Sequence, residues 1–230
     1  MVALIHHCCT LLEIISLPAA TLIFSGNAGR EQIIATYQYY TKRHPRYKLI
    51  RHKTIGAALI DLDYVNTRAK YHVLIKGKNG ADCHAKRART RGYNVAEINR
   101  NDYIDAIHRI NVSCASRQGR PMDAAYQKKT EHFDAEPHFR YFGVINATGG
   151  LVAYANVGEF GNFCAFSQLI GLRNNDGIMH FLLVEIINEL IDQQQIRYVM
   201  YDTFFGALPG LRLFKTMLGF RPYRAKYILQ

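Results

Sequence analysis

Residues 163–179 read FCAFSQLIGLRNNDGIM. Phe163 to Leu172 is a near-continuous apolar run, the pattern of a strand buried on both faces. It stops at Arg173-Asn174-Asn175-Asp176-Gly177, and Ile178 and Met179 then open a helix. A helix start carries unpaired backbone N–H groups and the positive end of the helix dipole, so such a junction can hold a phosphate or a carboxylate. Asp176 suits an N-cap, and Gly177 permits close approach of a ligand to the backbone. Leu172, Arg173, Asn174, Asp176, Gly177, Ile178 and Met179 are therefore the candidate anion-binding residues. Most strand-to-helix junctions bind nothing, so the flanking elements must supply the rest.

Downstream, Ile178, Leu182, Ile186 and Leu190 form one row of the helix and Met179, Leu183, Ile187 and Ile191 the next, with Glu185, Asn188, Glu189 and Asp192 on the wet side. Arg197–Tyr201 reads as a strand closed by Asp202-Thr203, Gly206–Leu218 as a helix, and Arg221–Leu229 as a last strand. Upstream, Tyr141–Asn146 and Leu151–Val157 form a hairpin across Ala147-Thr148-Gly149-Gly150, and Glu159, Gly161 and Asn162 make the next turn. Before the hairpin come a basic helix (Ala81–Gly92) ended by Gly92, a strand (Tyr93–Ile98) and an amphipathic helix (Asn101–Ser116) with Asn101 as its N-cap. A turn at Arg117-Gln118-Gly119-Arg120-Pro121-Met122 follows, then a short helix (Met122–Glu131) and a polar linker (His132–Arg140). Further back, Arg30–Tyr40 is helical and Thr41–Lys53 is basic, while Thr54–Tyr64 reads as a strand pair or loop. Asn66–Lys76 fits helix or strand, and Met1–Phe24 a buried strand, a helix or a leader.

This order of elements, from the hairpin through the 163–179 junction to Leu211-Arg212-Leu213-Phe214-Lys215-Thr216-Met217-Leu218-Gly219-Phe220, resembles the GNAT superfamily of N-acyltransferases over roughly residues 95–229. Two departures stand out. The pyrophosphate loop of that family, Arg/Gln-x-x-Gly-x-Gly/Ala, here has one extra residue between Arg173 and Gly177 and lacks the second glycine. Lys215 stands where many members carry a tyrosine acid. Gly210-Leu211-x-x-Phe214-Lys215, together with the Lys76–Tyr93 segment, is more similar to the FemABX-like branch, which includes transferases that take aminoacyl groups from charged tRNA. The resemblance implies an α/β (α+β) fold, a GNAT-like mixed, mostly antiparallel central sheet flanked by helices. Residues 1–80 would be an N-terminal extension or partial subdomain, and 81–230 the acyltransferase domain. It implies transfer of an acyl group from acyl-CoA (acetyl-CoA or a longer species) to an amine. The alternatives are an aminoacyl-tRNA donor, or an RNA- or anion-binding protein that keeps the fold without catalysis.

Acyl transfer by direct attack needs a base for the amine and stabilisation of the developing oxyanion. It needs no covalent nucleophile, and the chain has no Gly-x-Ser-x-Gly elbow. The candidate bases are Glu159 and Asp202. The resemblance places Phe214 and Lys215 against the donor or the developing charge. In that layout the loop bearing Arg117 and Arg120 borders the acceptor, and arginine forks suit carboxylate or phosphate.

Lys+Arg 29 against Asp+Glu 18 gives a net charge of +11, which favours polyanionic company such as a nucleotide or tRNA. The five cysteines (8, 9, 83, 114 and 164) form no regular framework, as expected of a cytoplasmic protein. No apolar run reaches the roughly 20 residues of a membrane span, so no stable membrane insertion is expected. Adjacent His6-His7-Cys8-Cys9 lacks a spaced partner pair, so no metal is expected. An amine-bearing acceptor and a second copy of the chain complete the expected partners.

Overall fold

A computed structural model describes residues 14–26, 29–45, 48, 50–117 and 120–230, with the backbone alone at Arg117 and Arg120. The His6–Cys9 cluster lies outside the described residues. In chain order the elements are β1 (Ala19–Phe24), α1 (Arg30–Thr41), β2 (Ile55–Asp61), α2 (Arg68–Ile75), α3 (Ala81–Thr90) and β3 (Asn94–Glu97). A 3₁₀ turn (Arg100–Tyr103) leads into α4 (Ile104–Val112), followed by β4 (Ser116–Arg117), β5 (Arg120–Pro121) and α5 (Ala124–Gln127). The last part is β6 (Phe139–Ile145), β7 (Leu151–Glu159), β8 (Phe163–Gly171), α6 (Ile178–Gln193), β9 (Tyr198–Thr203), α7 (Pro209–Met217) and β10 (Arg221–Leu229).

One sheet runs in the order β1-β10-β2-β9-β8-β7-β6-β3. It is mostly antiparallel, with β1 parallel to β10 and β8 parallel to β9. Helices cover both faces. Successive residues of β7 take opposite sides: Ala153 joins the core under α2, α3, α6 and α7, whereas Tyr154 packs with Ile107 and Ile110 of α4. A second core beneath α1 holds Phe24, Phe160, Phe163 and Tyr227. The N-terminal extension thus contributes two strands to the sheet, with β2 between β10 and β9.

Several local expectations change. Residues 54–64 hold one strand rather than a pair, and the undecided stretch 66–76 is a helix whose N-cap, Thr67, accepts from the Lys70 amide. The cap expected at Asn101 is Asn99, whose side chain accepts from the Asn101 amide at 3.1 Å. The helix expected over 122–131 is a single turn at 124–127. The chain beyond it is held by tertiary contacts instead, with Asn101 bonded to the Phe133 backbone and the Arg100 guanidinium 4.5 Å from the Phe133 ring centre. Asn188, placed on the wet side of α6, is buried beside His72 of α2 at 3.3 Å. The helix is wedged between the sheet and α2 and α3, so its polar face is partly interior.

Candidate active site

The parallel ladder between β8 and β9 spans only Phe163–Ala165 against Tyr198–Met200. Beyond it the strands part, and Asp202 near the end of β9 adopts a left-handed φ of 54°. The rings of Phe166 and Tyr201 meet edge to face across the gap at 5.8 Å. The opening is a cleft of about 670 Å³. One side is β8 from Ala165 to Ile170, with Tyr201 and Asp202 of β9 opposite. Tyr39 and Tyr40 of α1, Lys53, Asp123 and Tyr126 form the outer wall. Gln168 projects from β8 with its carboxamide fixed on both sides: Asn156 Nδ2 donates to it at 2.7 Å, and it donates to the Tyr126 hydroxyl at 3.3 Å.

A second cavity, about 690 Å³, lies at the start of α6. Leu172, Arg173, Asn174, Gly177, Ile178 and Met179 line it, joined by His84 and Arg87 of α3 and by His180. Six of the seven candidate anion-binding residues therefore share one cavity. Asp176 is the exception. It accepts from the Tyr93 hydroxyl at 2.6 Å and pairs with Arg91, so it is not the N-cap. That position belongs to Gly177, at φ 83° with no side-chain cap. The glycine is required by packing, because a Cβ there would collide with the backbone carbonyl of His84. Arg87 donates to the Asn175 carbonyl at 3.1 Å, which draws its guanidinium toward the loop, whereas Arg173 donates to the Ser116 carbonyl of β4 at 3.3 Å. His180 stacks on His84 at 4.4 Å, and its imidazole is pushed down to about 4 by burial and then by His84. It is neutral at pH 7, and the cationic character of the cavity comes from the arginines.

A relay of rings separates the two cavities. Tyr201 meets Phe214 at 6.4 Å, and Phe214 meets His180 at 4.6 Å. Lys215 lies behind this wall, fully buried. Its Nζ donates to the Thr203 carbonyl at 2.8 Å and sits 4.7 Å from the Tyr201 ring centre. Burial lowers its pKa from 10.5 to about 8, against a smaller opposing pull from Asp202. Asp202 is ion-paired with Lys53. Glu159 is elsewhere: it pairs with Cys164 in the β7–β8 ladder, at the end where β8 and β9 are joined, and its carboxylate faces Arg140 at 3.8 Å. Of the three candidate catalytic residues, the fold brings Asp202 and Lys215 to the cleft region and leaves Glu159 in an arginine–carboxylate cluster. The side chains of Arg117 and Arg120 lie outside the described residues; their backbones pair in the β4–β5 hairpin.

Tyr201, Lys53 and Gln168 are the cleft residues that sequence reasoning passed over. Burial raises the Tyr201 phenol well above its ordinary value, so it stays protonated near neutral pH and cannot serve as the base. Its position next to Asp202, at the end of a strand, was the available signal. Among the described residues no three His, Cys, Asp or Glu side chains are grouped to hold a metal ion. No described helix is long and apolar enough to cross a membrane.

No family model matches the chain, and no curated protein matches it by sequence. Solved structures do. FemX matches with a TM-score of 0.56 at 9% identity, covering 73% of this chain and 59% of that one. A conserved protein of unknown function from Bacteroides thetaiotaomicron VPI-5482 matches with a TM-score of 0.51 at 17% identity, covering 72% and 56%. L-PGS from Bacillus licheniformis matches with a TM-score of 0.49 at 17% identity, covering 74% and 58%. The chain spans less than 60% of the length of each of these solved chains. The fold is GNAT-like, of the type seen in FemX.

Proposed function

We propose that the protein is an N-acyltransferase that works in the cleft between β8 and β9, with acyl-CoA as donor and an amine as acceptor. The observation that carries this reading is the early end of the β8–β9 ladder, which opens a cleft on one side of the ring relay and leaves the α6 start on the other. An anionic donor group would rest at the first turn of α6 between Arg87 and Arg173, and its acyl end would pass the ring relay toward Tyr201. In the cleft, Asp202 would take a proton from the acceptor amine, whose nitrogen then bonds to the acyl carbon. As the carbon–sulfur bond breaks, the Tyr201 hydroxyl would donate a hydrogen bond to the leaving thiolate, which departs as such or takes its proton from water. Lys215 acts from behind, holding Tyr201 and the end of β9 in place. Asp202→Asn is expected to lower kcat by about a hundredfold or more, with KM little changed.

An aminoacyl-tRNA donor is the second reading. It is favoured by the buried Lys215 beside the half-buried Phe214 and by α3, whose backbone crowds Gly177 and narrows approach to the helix start. Melting-temperature titration with acetyl-CoA, free CoA and bulk aminoacyl-tRNA separates the two. A ligand at 100 times its Kd stabilises by about 2.7 kcal/mol, a readily measured rise. With CoA as donor, the rise follows CoA species and is lost in Arg87→Glu/Arg173→Glu, both exposed positions. A rise with charged tRNA alone moves the donor to tRNA, and a rise with neither removes both. Gly177 is unsuitable as a probe, because any side chain there disturbs the fold.

A further inference from the structure

Lys53, Asp123 and Asp202 are the charged side chains that line the cleft between β8 and β9. Lys53 and Asp202 form an ion pair of unequal exposure: the lysine side chain is 13% exposed, the aspartate side chain 54%. Lys53 is held firmly. Its amide donates to the Tyr40 carbonyl at 3.1 Å, and its carbonyl accepts from the Tyr227 hydroxyl at 2.9 Å. Its ammonium lies 5.7 Å from the Tyr39 ring centre and 5.8 Å from that of Tyr40. An ammonium has three N–H donors, and among the described residues the one hydrogen-bond partner of this ammonium is Asp202. Asp202 itself stands at a left-handed φ of 54°, a conformation that non-glycine residues seldom adopt. The cleft is thus offered a cation and an anion side by side, each with hydrogen-bonding capacity to spare.

The surroundings decide what such a pair can hold. A diamine calls for carboxylates without cations between them. Here Lys53 stands against Asp202, and the Lys215 ammonium lies behind Tyr201, 4.7 Å from its ring centre. A simple monoamine would compete with Lys53 for Asp202 and leave the lysine donors idle. A zwitterion does neither. Its ammonium meets the aspartate and its carboxylate meets the lysine, so each of the four charges keeps an opposite neighbour, in charge-assisted hydrogen bonds. Tyr126, Phe139 and Phe166 supply rings to the remaining wall, which suits an apolar side chain. Asp123 is exposed and stays in water.

We infer that the acceptor is a free amino acid with a large apolar side chain, its carboxylate held by Lys53 and its amine presented to Asp202. The inference rests on the transfer reading in one respect, that the bound amine is what receives the acyl group.

The test is isothermal titration calorimetry of the full chain, with no donor present, against L-phenylalanine, L-phenylalaninol and 2-phenylethylamine. All three carry the amine and the ring, and the first alone carries the carboxylate. L-Phenylalanine is expected to bind about tenfold or more tighter than the other two, the loss that follows removal of a charge-assisted hydrogen bond. Lys53→Met is expected to abolish this preference and to bind the amines at least as well as wild type. Its melting temperature should stay close to that of wild type, because the aspartate left behind is half exposed. Gln168→Glu keeps the side-chain shape and the bond from Asn156 but adds a negative charge to the cleft. It should weaken the amino acid and spare the amines. Equal binding of the three ligands, tighter binding of 2-phenylethylamine or of cadaverine, a preference that survives in Lys53→Met, or no binding of L-phenylalanine at millimolar concentration would each overturn the inference. Because the readout is binding without a donor, none of these results bears on transfer itself, which the titrations with CoA species and aminoacyl-tRNA test separately.

Discussion

Between pH 7 and pH 11 the wild-type protein is expected to gain about 3 kcal/mol of stability relative to Lys215→Met. The figure follows from the pKa of Lys215, lowered from 10.5 to about 8, at about 1.4 kcal/mol per unit. The sign is fixed by proton counting. Between the two values the unfolded chain holds a proton on this lysine that the folded chain has released, so stability rises with pH across that window. Below pH 8 both states are charged and the penalty of burying the ammonium is constant. Subtracting the methionine variant removes the contributions of every other titrating group. Denaturant unfolding at a series of pH values gives the curve. A flat difference would mean that Lys215 titrates as an ordinary exposed lysine, and the arrangement around Thr203 and Tyr201 would be wrong. A buried cation without a carboxylate in contact is an expense that a purely structural helix would shed. If the cleft is catalytic, the same substitution should lower transfer as well.

The burial of Lys215 was within reach of the sequence. Leu211, Lys215 and Leu218 follow the four- and three-residue steps of one helix face, so the lysine shares its row with apolar residues. The order of strands and helices from 139 onward was legible because each element there has an unmixed period: alternation in β6 and β7, a continuous apolar run in β8, paired apolar rows in α6. The cleft was not legible. Where two parallel strands stop pairing depends on both strands and on the rings between them, and no single stretch encodes that. Gly177 was read as room for a ligand, whereas the carbonyl it accommodates belongs to α3, some 90 residues earlier. The basic side of α3 drew attention first. Yet Ala81, Ala85 and Ala88, all buried, mark the opposite side as one that a second helix approaches closely, and that helix is α6. Long-range partners of this kind also explain Glu159. A turn acid looks available in sequence, and only the fold brings Arg140 to it.

Phe24→Ala is expected to cost about 3–5 kcal/mol and to loosen the wall of the cleft. Phe24 is fully buried. Its ring lies 5.6 Å from Tyr37 and 5.7 Å from Tyr40 of α1, 5.3 Å from Phe160, 4.9 Å from Phe163 of β8 and 6.0 Å from Tyr227 of β10. Edge-to-face pairs of this kind add to the burial of apolar area, and β1 has no other side chain with so many ring partners. The substitution therefore couples an edge strand to the central strand and, through Tyr40, to the cleft. Far-UV circular dichroism during urea unfolding measures the loss and also bears on the expected boundary at residue 80. If the extension and the remainder fold together, the variant shows one transition with a lower midpoint and an unchanged slope. A second, earlier transition would mean that residues 1–80 open by themselves. The sheet favours the single transition, because β2 supplies the strand between β9 and β10. Residues 81–230 alone would leave both of those edges bare, and are expected not to fold. The cleft then depends on the extension twice: β2 and β10 brace β9 from its far side, and α1 supplies Tyr39 and Tyr40 to the opening that β9 and β8 create.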